Sequence, residues 1–207
     1  KKFLNCIPNN TSLTQNAEKP FCFHIDSKFN VHGVGTVVSG IVTSGKYELG
    51  KKLMIGPDSF GNWKEIAIRS IHFKRTSVSK CSAGQSICFA LKKFERKNVL
   101  KGMVVVDRTL AVSTKKFKAE VAILHNHSTI NRGFQPVVHC LNIRQTAKVI
   151  NITHVDTGES MKLLRSGNRA FVTFEFMFKP EFLEVGNSIL FREGSTRGMG
   201  QIVSVEV

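Results

Sequence analysis

Two glycine and lysine patterns in the first quarter of the chain could bind phosphate. Gly40 to Lys46 and Gly45 to Lys51 both have the spacing G-x-x-x-x-G-K, in which backbone N–H groups and a lysine cradle nucleotide phosphates. That chemistry also needs a hydroxyl for Mg²⁺ directly after the lysine and a helix N-terminus facing the phosphate. Tyr47 and Lys52 follow the two lysines within strand-forming sequence. We therefore predict that neither pattern is a nucleotide site.

A second set of side chains could hold a metal ion. His125 and His127 are two residues apart, and His139 and Cys140 follow downstream. Two such histidines share a face only in a strand, and these lie where a strand runs into a Ser-Thr-Ile-Asn-Arg loop, so exposed loop histidines are favoured over metal ligands. The chain has no G-x-S-x-G elbow and no carboxylate pair in an apolar setting. We predict no metal site and no catalytic residue, so this chain by itself is not expected to be an enzyme.

The elements that position any site are predicted to be short strands. Apolar residues alternate in short runs separated by turn signals, and no long segment has helical periodicity, a pattern typical of β-barrels. The first series of runs covers residues 21–25, 36–43, 52–55, 65–71, 85–91 and 103–106, and the second covers 119–124, 137–141, 147–152, 169–178, 188–191 and 200–207. A polar passage at 109–116 separates the two series. This organisation predicts a linker at 1–19, one β-barrel at 20–110 and another at 111–207.

Aromatic residues near the end of the second series could stack on nucleic-acid bases. Phe174, Phe176 and Phe178 alternate with polar residues, and residues two apart in a strand point to the same face. This spacing favours side chains that line a barrel core over a stacking platform.

A glycine-rich stretch at 29–45 is the most distinctive part of the sequence. Its Val, Ile and Thr residues favour a strand, and Gly33, Gly35 and Gly40 remove side chains where the backbone bends or approaches another surface closely. The stretch Val-His-Gly-Val-Gly-Thr-Val-Val-Ser-Gly, followed by Gly45-x-x-x-x-Gly50, resembles the opening of domain II in elongation-factor-Tu-like translational GTPases.

The resemblance continues to the end of the chain in the family's order and approximate spacing. It is carried by Ala83-Gly-Gln, Lys101-Gly-Met-Val, Phe117-Lys-Ala-Glu-Val-Ala-Ile-Leu, Phe134-Gln-Pro-Val-Val-His-Cys and Phe191-Arg-Glu-Gly. Ile71-His-Phe-Lys-Arg, Phe89-Ala-Leu-Lys-Lys and Ile143-Arg-Gln-Thr-Ala are most similar to the eukaryotic GTP-binding protein 1 and 2 branch.

The resemblance implies an all-β fold, with a domain II-like barrel followed by a domain III-like Greek-key barrel. It also implies that residues 1–19 join these barrels to an N-terminal GTPase domain outside this sequence. GTP and Mg²⁺ are expected in that domain, and no cofactor is expected in this chain. The whole protein is accordingly expected to be a GTPase.

In the resembling family, domain II holds the 3′ end of tRNA. The positions that match in this sequence are Asp26, Ser27, Phe29, Val31, Gly33, Val37, Ser39, His72, Arg75, Ser86 and Ala90. The family holds the tRNA 5′ end with a basic residue that matches Lys101, and the T-stem with positions that match Thr146, Lys179, Glu193 and Gly194. His72 stands where the classical elongation factors have a glutamate, and Asp26-Ser27 stands where they have paired acids.

The charge of the chain bears on its partners. Thirty Lys and Arg residues against 15 Asp and Glu residues give a net charge of +15, which favours polyanions such as RNA. Residues 1–112 carry 18 basic and 7 acidic side chains, so most of the surplus lies in the first barrel. The alternative is that the lysines only solvate a β surface.

Two function hypotheses follow from the sequence. The first is a tRNA- and ribosome-binding module of an elongation-factor-like protein whose GTPase domain controls it. The second is an adaptor that links a GTPase to an RNA-decay or other regulatory complex. Five cysteines without any C-x-x-C pair and the lack of a long apolar run predict a reducing, cytoplasmic location without a membrane partner. The chain is expected to be monomeric.

Overall fold

The computed structural model describes residues 16–125 and 129–206 of the chain. These residues form 17 strands and three short 3-10 helices. The strands are β1 (Cys22–Val31), β2 (Gly35–Ser44), β3 (Lys46–Glu48), β4 (Lys52–Gly56), β5 (Lys64–Phe73), β6 (Thr76–Val78), β7 (Lys80–Ser82), β8 (Ser86–Lys92), β9 (Val104–Val106), β10 (Lys116–His125), β11 (Ile130–Asn131), β12 (Val137–Cys140), β13 (Ile143–His154), β14 (Leu163–Leu164), β15 (Arg169–Phe176), β16 (Ser188–Glu193) and β17 (Thr196–Glu206). The 3-10 helices are Asn16–Glu18, Arg96–Asn98 and Arg108–Leu110. Among the described residues, no helix has the length and apolar character needed to cross a membrane.

The described residues divide into two compact units. The first contains the residues up to Gly56 together with Trp63–Ala111, and the second contains Pro57–Asn62 together with the residues from Val112 onwards. Ser113 in the second unit donates a hydrogen bond from Oγ to the Gly61 carbonyl oxygen at 2.9 Å. The segment between β4 and β5 therefore packs with the second unit, although the strands on either side of it belong to the first.

The first unit is a closed antiparallel barrel. Its strands pair in the order β4-β9-β1-β2-β8-β5, and the pairing of β4 with β5 closes the ring, while β6 extends it beyond β5. Phe21, Phe23 and Phe89 are buried at its centre, and the rings of Phe23 and Phe89 lie 4.8 Å apart between centroids. Gly40 permits the close pairing of β2 with β1, because a Cβ at this position would lie 1.8 Å from the His24 carbonyl oxygen.

The second unit is another closed antiparallel barrel. Its strands follow the order β10-β15-β13-β12-β16-β17, and β17 pairs with β10 to close it. Buried and partly exposed residues alternate along β15, so Phe174 and Phe176 point inward and are fully buried. Two consecutive β-barrels were predicted from the sequence, and this fold is confirmed.

One core prediction is wrong. Phe178 was expected to line the barrel with Phe174 and Phe176, but β15 ends at Phe176 and Phe178 is 77% exposed. The backbone N–H groups of Phe178 and Lys179 both donate to Oε1 of Gln145, at 2.9 Å each, and not to a neighbouring strand. The alternation of buried and exposed side chains therefore stops where the pairing of β15 ends.

Candidate nucleic-acid interface

The residues that the resemblance assigns to the 3′ end of tRNA lie on four neighbouring strands of the first barrel. The register of β1, β2, β8 and β5 places Ser27, Ser39, Cys88 and His72 side by side in one row. The next row contains Phe29, Val37, Ala90 and Ser70. Cross-strand partners project to the same side of a sheet, so residues far apart in sequence form one outer face.

This outer face combines polar groups with exposed apolar surface. Ser27, His72 and Ser86 are exposed, Val37 and Ser39 are half-buried, and Phe29 is 49% exposed. Ala90 is only 2% exposed, so it is the least accessible of the predicted site residues on these strands. Asp26 lies at an irregularity of the β1–β2 register between Ile25 and Ser27, and its side chain is exposed.

The β1–β2 hairpin turn borders this face. Gly33 has φ +75° and open space around the position of a Cβ, so a flat group could approach its backbone closely. Nη1 of Arg69 donates to the carbonyl oxygens of Gly33, at 3.4 Å, and Val34, at 3.2 Å. Arg69 thus ties the turn to β5. The exposed side chain of Val31 lies at the start of this turn.

The turn between β5 and β6 carries two consecutive cations in an unusual backbone conformation. Lys74 has φ +48° and Arg75 has φ +69°, which are values that two-residue hairpin turns normally assign to Asn-Gly. Both side chains are exposed, and Nζ of Lys74 lies 5.3 Å from the centre of the Phe73 ring. Sequence reasoning missed Lys74, because no asparagine or glycine marks the turn.

A basic loop lies beside β1 in the same unit. Nζ of Lys28 donates to the Arg96 carbonyl oxygen at 3.3 Å and also to the Val99 carbonyl oxygen, which holds the loop against the strand. Lys101 is exposed in this loop, just before Gly102, which has φ +91°. The predicted 5′-end residue therefore lies on a loop that Lys28 anchors to the strand carrying Ser27 and Phe29.

Three of the four predicted T-stem residues lie close together in the second barrel. Thr146 of β13 pairs with Val137 of β12, and Val137 pairs with Arg192 of β16. Glu193 and Gly194 follow Arg192, at the end of β16 and in the turn to β17. Thr146, Glu193 and Gly194 are therefore separated by a single strand.

Lys179, the fourth predicted T-stem residue, already has an anionic partner within the fold. Its Nζ lies 3.1 Å from Oε2 of Glu181, and its side chain is only 20% exposed. Glu181 is buried and accepts a second hydrogen bond, of 2.8 Å, from Nε2 of Gln145. Burial raises the pKa of Glu181, while the ammonium of Lys179 and the hydrogen bonds act in the opposite direction. Lys179 therefore serves the structure of this loop whether or not RNA binds.

The two patterns with phosphate-loop spacing are not phosphate loops. Lys46 begins the strand β3 and forms an ion pair with Glu18 at 2.5 Å, while Lys51 follows the Gly50 turn that precedes β4. A shallow groove of about 380 Å³ lies beside both lysines. Strands follow these lysines, not a helix, so the groove lacks the helix N-terminus that such a loop uses to bind phosphate.

Of the possible metal ligands named from the sequence, His139 and Cys140 do not face a common site. His139 and Cys140 are adjacent in β12 and point to opposite sides of the barrel wall, so Cys140 is buried in the core while His139 lies on the outer side. His127 lies outside the described residues. The four described cysteines, Cys22, Cys81, Cys88 and Cys140, form no disulfide with one another.

Comparison with known proteins shows what this chain is similar to. Residues 111–206 match the model of the family described as elongation factor Tu C-terminal domain. The chain is 40% identical to GTP-binding protein 1 of Xenopus laevis over 206 residues, which cover 99% of this chain and 30% of that protein. It is 38% identical to human GTP-binding protein 2 over 210 residues, covering 100% of this chain and 34% of that protein. It is 27% identical to elongation factor 1-alpha of Saccharolobus solfataricus over 204 residues, which cover 91% of this chain and 46% of that protein.

The second barrel is therefore similar to the C-terminal domain of elongation factor Tu. The match over residues 111–206 and the similarity to GTP-binding proteins 1 and 2 and to elongation factor 1-alpha confirm the resemblance of the chain to elongation-factor-Tu-like proteins. The chain spans about a third of the length of GTP-binding proteins 1 and 2.

Proposed function

We propose that this chain is the RNA-binding part of an elongation-factor-like GTP-binding protein that acts in translation in the cytoplasm. Its proposed partners are tRNA and the ribosome. GTP and Mg²⁺ are proposed to bind to a GTPase domain of the whole protein, joined to these barrels through residues 1–19. In this proposal the barrels respond to the nucleotide state of that domain and perform no chemistry themselves.

The observation that carries the proposal is the convergence of the predicted 3′-end residues on one face of the first barrel. They come from segments as far apart as Asp26 and Ala90, yet they lie on four neighbouring strands and their turns. The open space at Gly33 and the exposed ring of Phe29 suit the close approach of a base or ribose. The cations of the Lys74–Arg75 turn can contact backbone phosphates at its border.

The proposed contacts outside this face are fewer. Lys101 is proposed to contact the 5′ end, and Thr146, Lys179, Glu193 and Gly194 are proposed to contact the T-stem. Because Lys179 is engaged by Glu181, we expect its removal to change the fold of its loop as well as RNA affinity. Lys101 is exposed, and its substitution is a second test of a phosphate contact.

The proposal can be tested by measuring the fluorescence anisotropy of tRNA labelled in its anticodon loop, away from both proposed contacts, mixed with this chain across a series of KCl concentrations. We expect the logarithm of affinity to fall linearly with the logarithm of salt concentration, because phosphate contacts release counterions. Lys74→Glu/Arg75→Glu is expected to reduce affinity at least about tenfold, and Lys101→Glu is expected to reduce it by a smaller factor.

Lys19→Glu/Lys51→Glu is the matched control, because it changes the net charge equally at two exposed positions of the first unit outside the proposed face. If both double variants lose affinity to the same extent, the chain attracts RNA only through its total charge. Binding to a protein partner with no salt dependence, together with no tRNA binding, would support the adaptor hypothesis. In the whole protein loaded with GTP, a comparison of aminoacylated with deacylated tRNA tests whether His72 permits recognition of the aminoacyl ester.

A further inference from the structure

The outer wall of the second barrel has an apolar centre. Leu190 of β16 and Met199 of β17 are direct cross-strand partners, and Met199 is also paired with Ala122 of β10. Leu190 is 56% exposed and Met199 is 47% exposed. The alternation of burial along β16 and β17 turns both side chains away from the core. These residues therefore form a small continuous apolar surface on regular, hydrogen-bonded strands.

Unpaired arginines border this apolar centre. Arg192 and Arg197 are direct cross-strand partners in the neighbouring row, and Arg144 lies opposite His139 at the end of the Leu190 row. No ion pair joins any of these three arginines to an acid in the described part of the chain. Like charges directly opposite each other across strands are destabilising. A carboxylate or another anion bound between Arg192 and Arg197 would therefore reduce the repulsion between their guanidinium groups.

His139 adds a second unsatisfied group to the wall. Its Nε2 atom is inaccessible to solvent and has no hydrogen-bond partner among the described residues. Burial lowers the pKa of His139, and the charges of Arg144 and then Arg192 lower it further. Burial and the two neighbouring guanidinium groups therefore disfavour protonation of the ring.

The geometry limits the kind of partner. The barrel is closed, so the strands of this wall have neighbours on both sides and offer no free edge to which an extended peptide could be added. The row formed by Arg144, His139, Leu190, Met199, Ala122 and Arg169 carries no phenylalanine, tyrosine or tryptophan for base stacking. Aliphatic and thioether side chains instead suit apolar side chains of a protein, and exposed methionine is common on adaptable binding surfaces.

We propose that Leu190, Met199, Arg192 and Arg197 form a docking surface for an acidic amphipathic helix of a partner protein. Apolar side chains of one helix face would cover Leu190 and Met199, and carboxylates beside them would pair with Arg192 and Arg197. The proposal does not depend on RNA binding by the first barrel. Arg192 directly precedes Glu193 and Gly194 of the proposed T-stem contact, so the helix and a tRNA T-stem would compete for this part of the second barrel.

The test uses the whole chain labelled with ¹³C at the methionine methyl groups, together with a short synthetic helical peptide. The peptide carries leucines at i, i+3, i+4 and i+7 and glutamates along both flanks of that stripe. We expect the Met199 methyl signal to shift on titration. Met177 is a control within the same molecule, because it is 41% exposed and lies beyond the end of β15. Its signal should not shift.

Affinity measured by anisotropy of the labelled peptide then tests each part of the surface. We expect Leu190→Ser to weaken binding about tenfold, as for a central apolar contact, and Arg192→Glu/Arg197→Glu to weaken it at least about tenfold. Leu163→Ser and Lys162→Glu/Arg165→Glu are the matched controls, because these residues are exposed in the same unit outside this surface and the double variant changes the net charge equally; each should change affinity less than about twofold. A peptide with lysines in place of the glutamates should not bind.

Several outcomes would overturn the proposal. Equal shifts of Met177 and Met199 would show non-specific association, and an unchanged Met199 signal at saturating peptide would show that the wall does not bind such helices. A shift of Met199 caused by tRNA, with no effect of the acidic peptide, would assign the wall to nucleic acid. The substituted side chains are exposed, so unchanged thermal unfolding is expected for every variant and separates lost binding from lost folding.

Discussion

At the scale of single residues, Gly40 allows the first barrel to form. A Cβ at this position would overlap the His24 carbonyl oxygen of the paired strand, at a distance of 1.8 Å. Gly40→Ala must therefore push β1 and β2 apart where they pair, and we expect it to lower the free energy of unfolding by about 3 kcal/mol. Urea denaturation measures this change.

Gly158→Ala is the matched control for Gly40→Ala. Gly158 has φ +70° but open space around its Cβ position, so the control should cost only about 1 kcal/mol of backbone strain. Equal destabilisation by the two variants would contradict the argument from close strand approach.

Compared with an Asn-Gly turn, the Lys74–Arg75 turn is expected to lower the free energy of unfolding. Two side chains with positive φ each carry a strain of about 1 kcal/mol that Asn-Gly would relieve. Lys74→Asn/Arg75→Gly should therefore raise the free energy of unfolding by about 1 kcal/mol, since added glycine entropy in the unfolded chain offsets part of the gain. The same variant should bind tRNA more weakly in the anisotropy assay.

Opposite changes in stability and binding would show that the strained turn is retained for its cations. Lys74→Arg/Arg75→Lys keeps both charges and both strained positions, and should leave stability and affinity nearly unchanged. A loss of stability in Lys74→Asn/Arg75→Gly would show that the two basic residues do not strain this hairpin.

At the scale of elements, the strands were largely predictable from the sequence. The runs predicted at 36–43, 65–71 and 188–191 correspond to Gly35–Ser44, Lys64–Phe73 and Ser188–Glu193. Alternation carries this information because one face of each strand is buried in a barrel. The pairing partners required long-range contacts, and the sequence supplied them only through the resemblance to a known family.

The ends of elements and the pairing of charges were less predictable. Phe178 continues the apolar alternation of β15 but lies beyond its last ladder contact and is exposed. Lys179 resembled a free RNA-binding cation in sequence, although Glu181 two residues later holds it. The residues of the proposed 3′-end face could be named from the resemblance. Their arrangement in rows could not be predicted, because it depends on the register of four strands.

The loop after β15 depends on Glu181, which is buried and bonded to Lys179 and Gln145. Glu181→Ala removes the carboxylate that both donors use, so we expect a loss of about 2–3 kcal/mol in the free energy of unfolding. Glu193→Ala is the control, because Glu193 is exposed, and it should change stability by less than about 0.5 kcal/mol. Equal effects would contradict a structural role for the buried carboxylate.

The dependence of stability on pH gives a second test of Glu181. Its pKa is raised in the folded protein by burial, so the fold favours the protonated form. The contribution of this group is therefore fully present below its ordinary pKa and is lost as pH rises through the raised value. Glu181→Gln cannot lose a proton, so the stability of the wild-type chain relative to Glu181→Gln should decrease over that interval. The opposite slope in denaturation curves would show that the ion pair with Lys179 dominates.

At the scale of the whole molecule, each unit contains its own core. The buried cluster of the second barrel contains residues from Phe117 to Ile202 and none from the first barrel. We therefore expect residues 111–207 expressed alone to fold, with cooperative thermal unfolding and dispersed NMR amide signals. The fragment lacks Pro57–Asn62, in which the Gly61 carbonyl oxygen accepts a hydrogen bond from Ser113. Its melting temperature should therefore be lower than that of the same fragment with a peptide of residues 57–62 added. A fragment that remains unfolded would contradict this independence.

The closure of the second barrel brings its first and last strands side by side, and Lys116 lies directly opposite Glu206. A short glycine-containing connection could therefore join these two positions covalently, and new chain ends could be opened at the exposed Gly194 turn. Such a circular permutant would keep every strand pairing of the barrel and would lose only the covalent connection between β16 and β17. The order in which the strands are synthesised is thus separable from the architecture that they build.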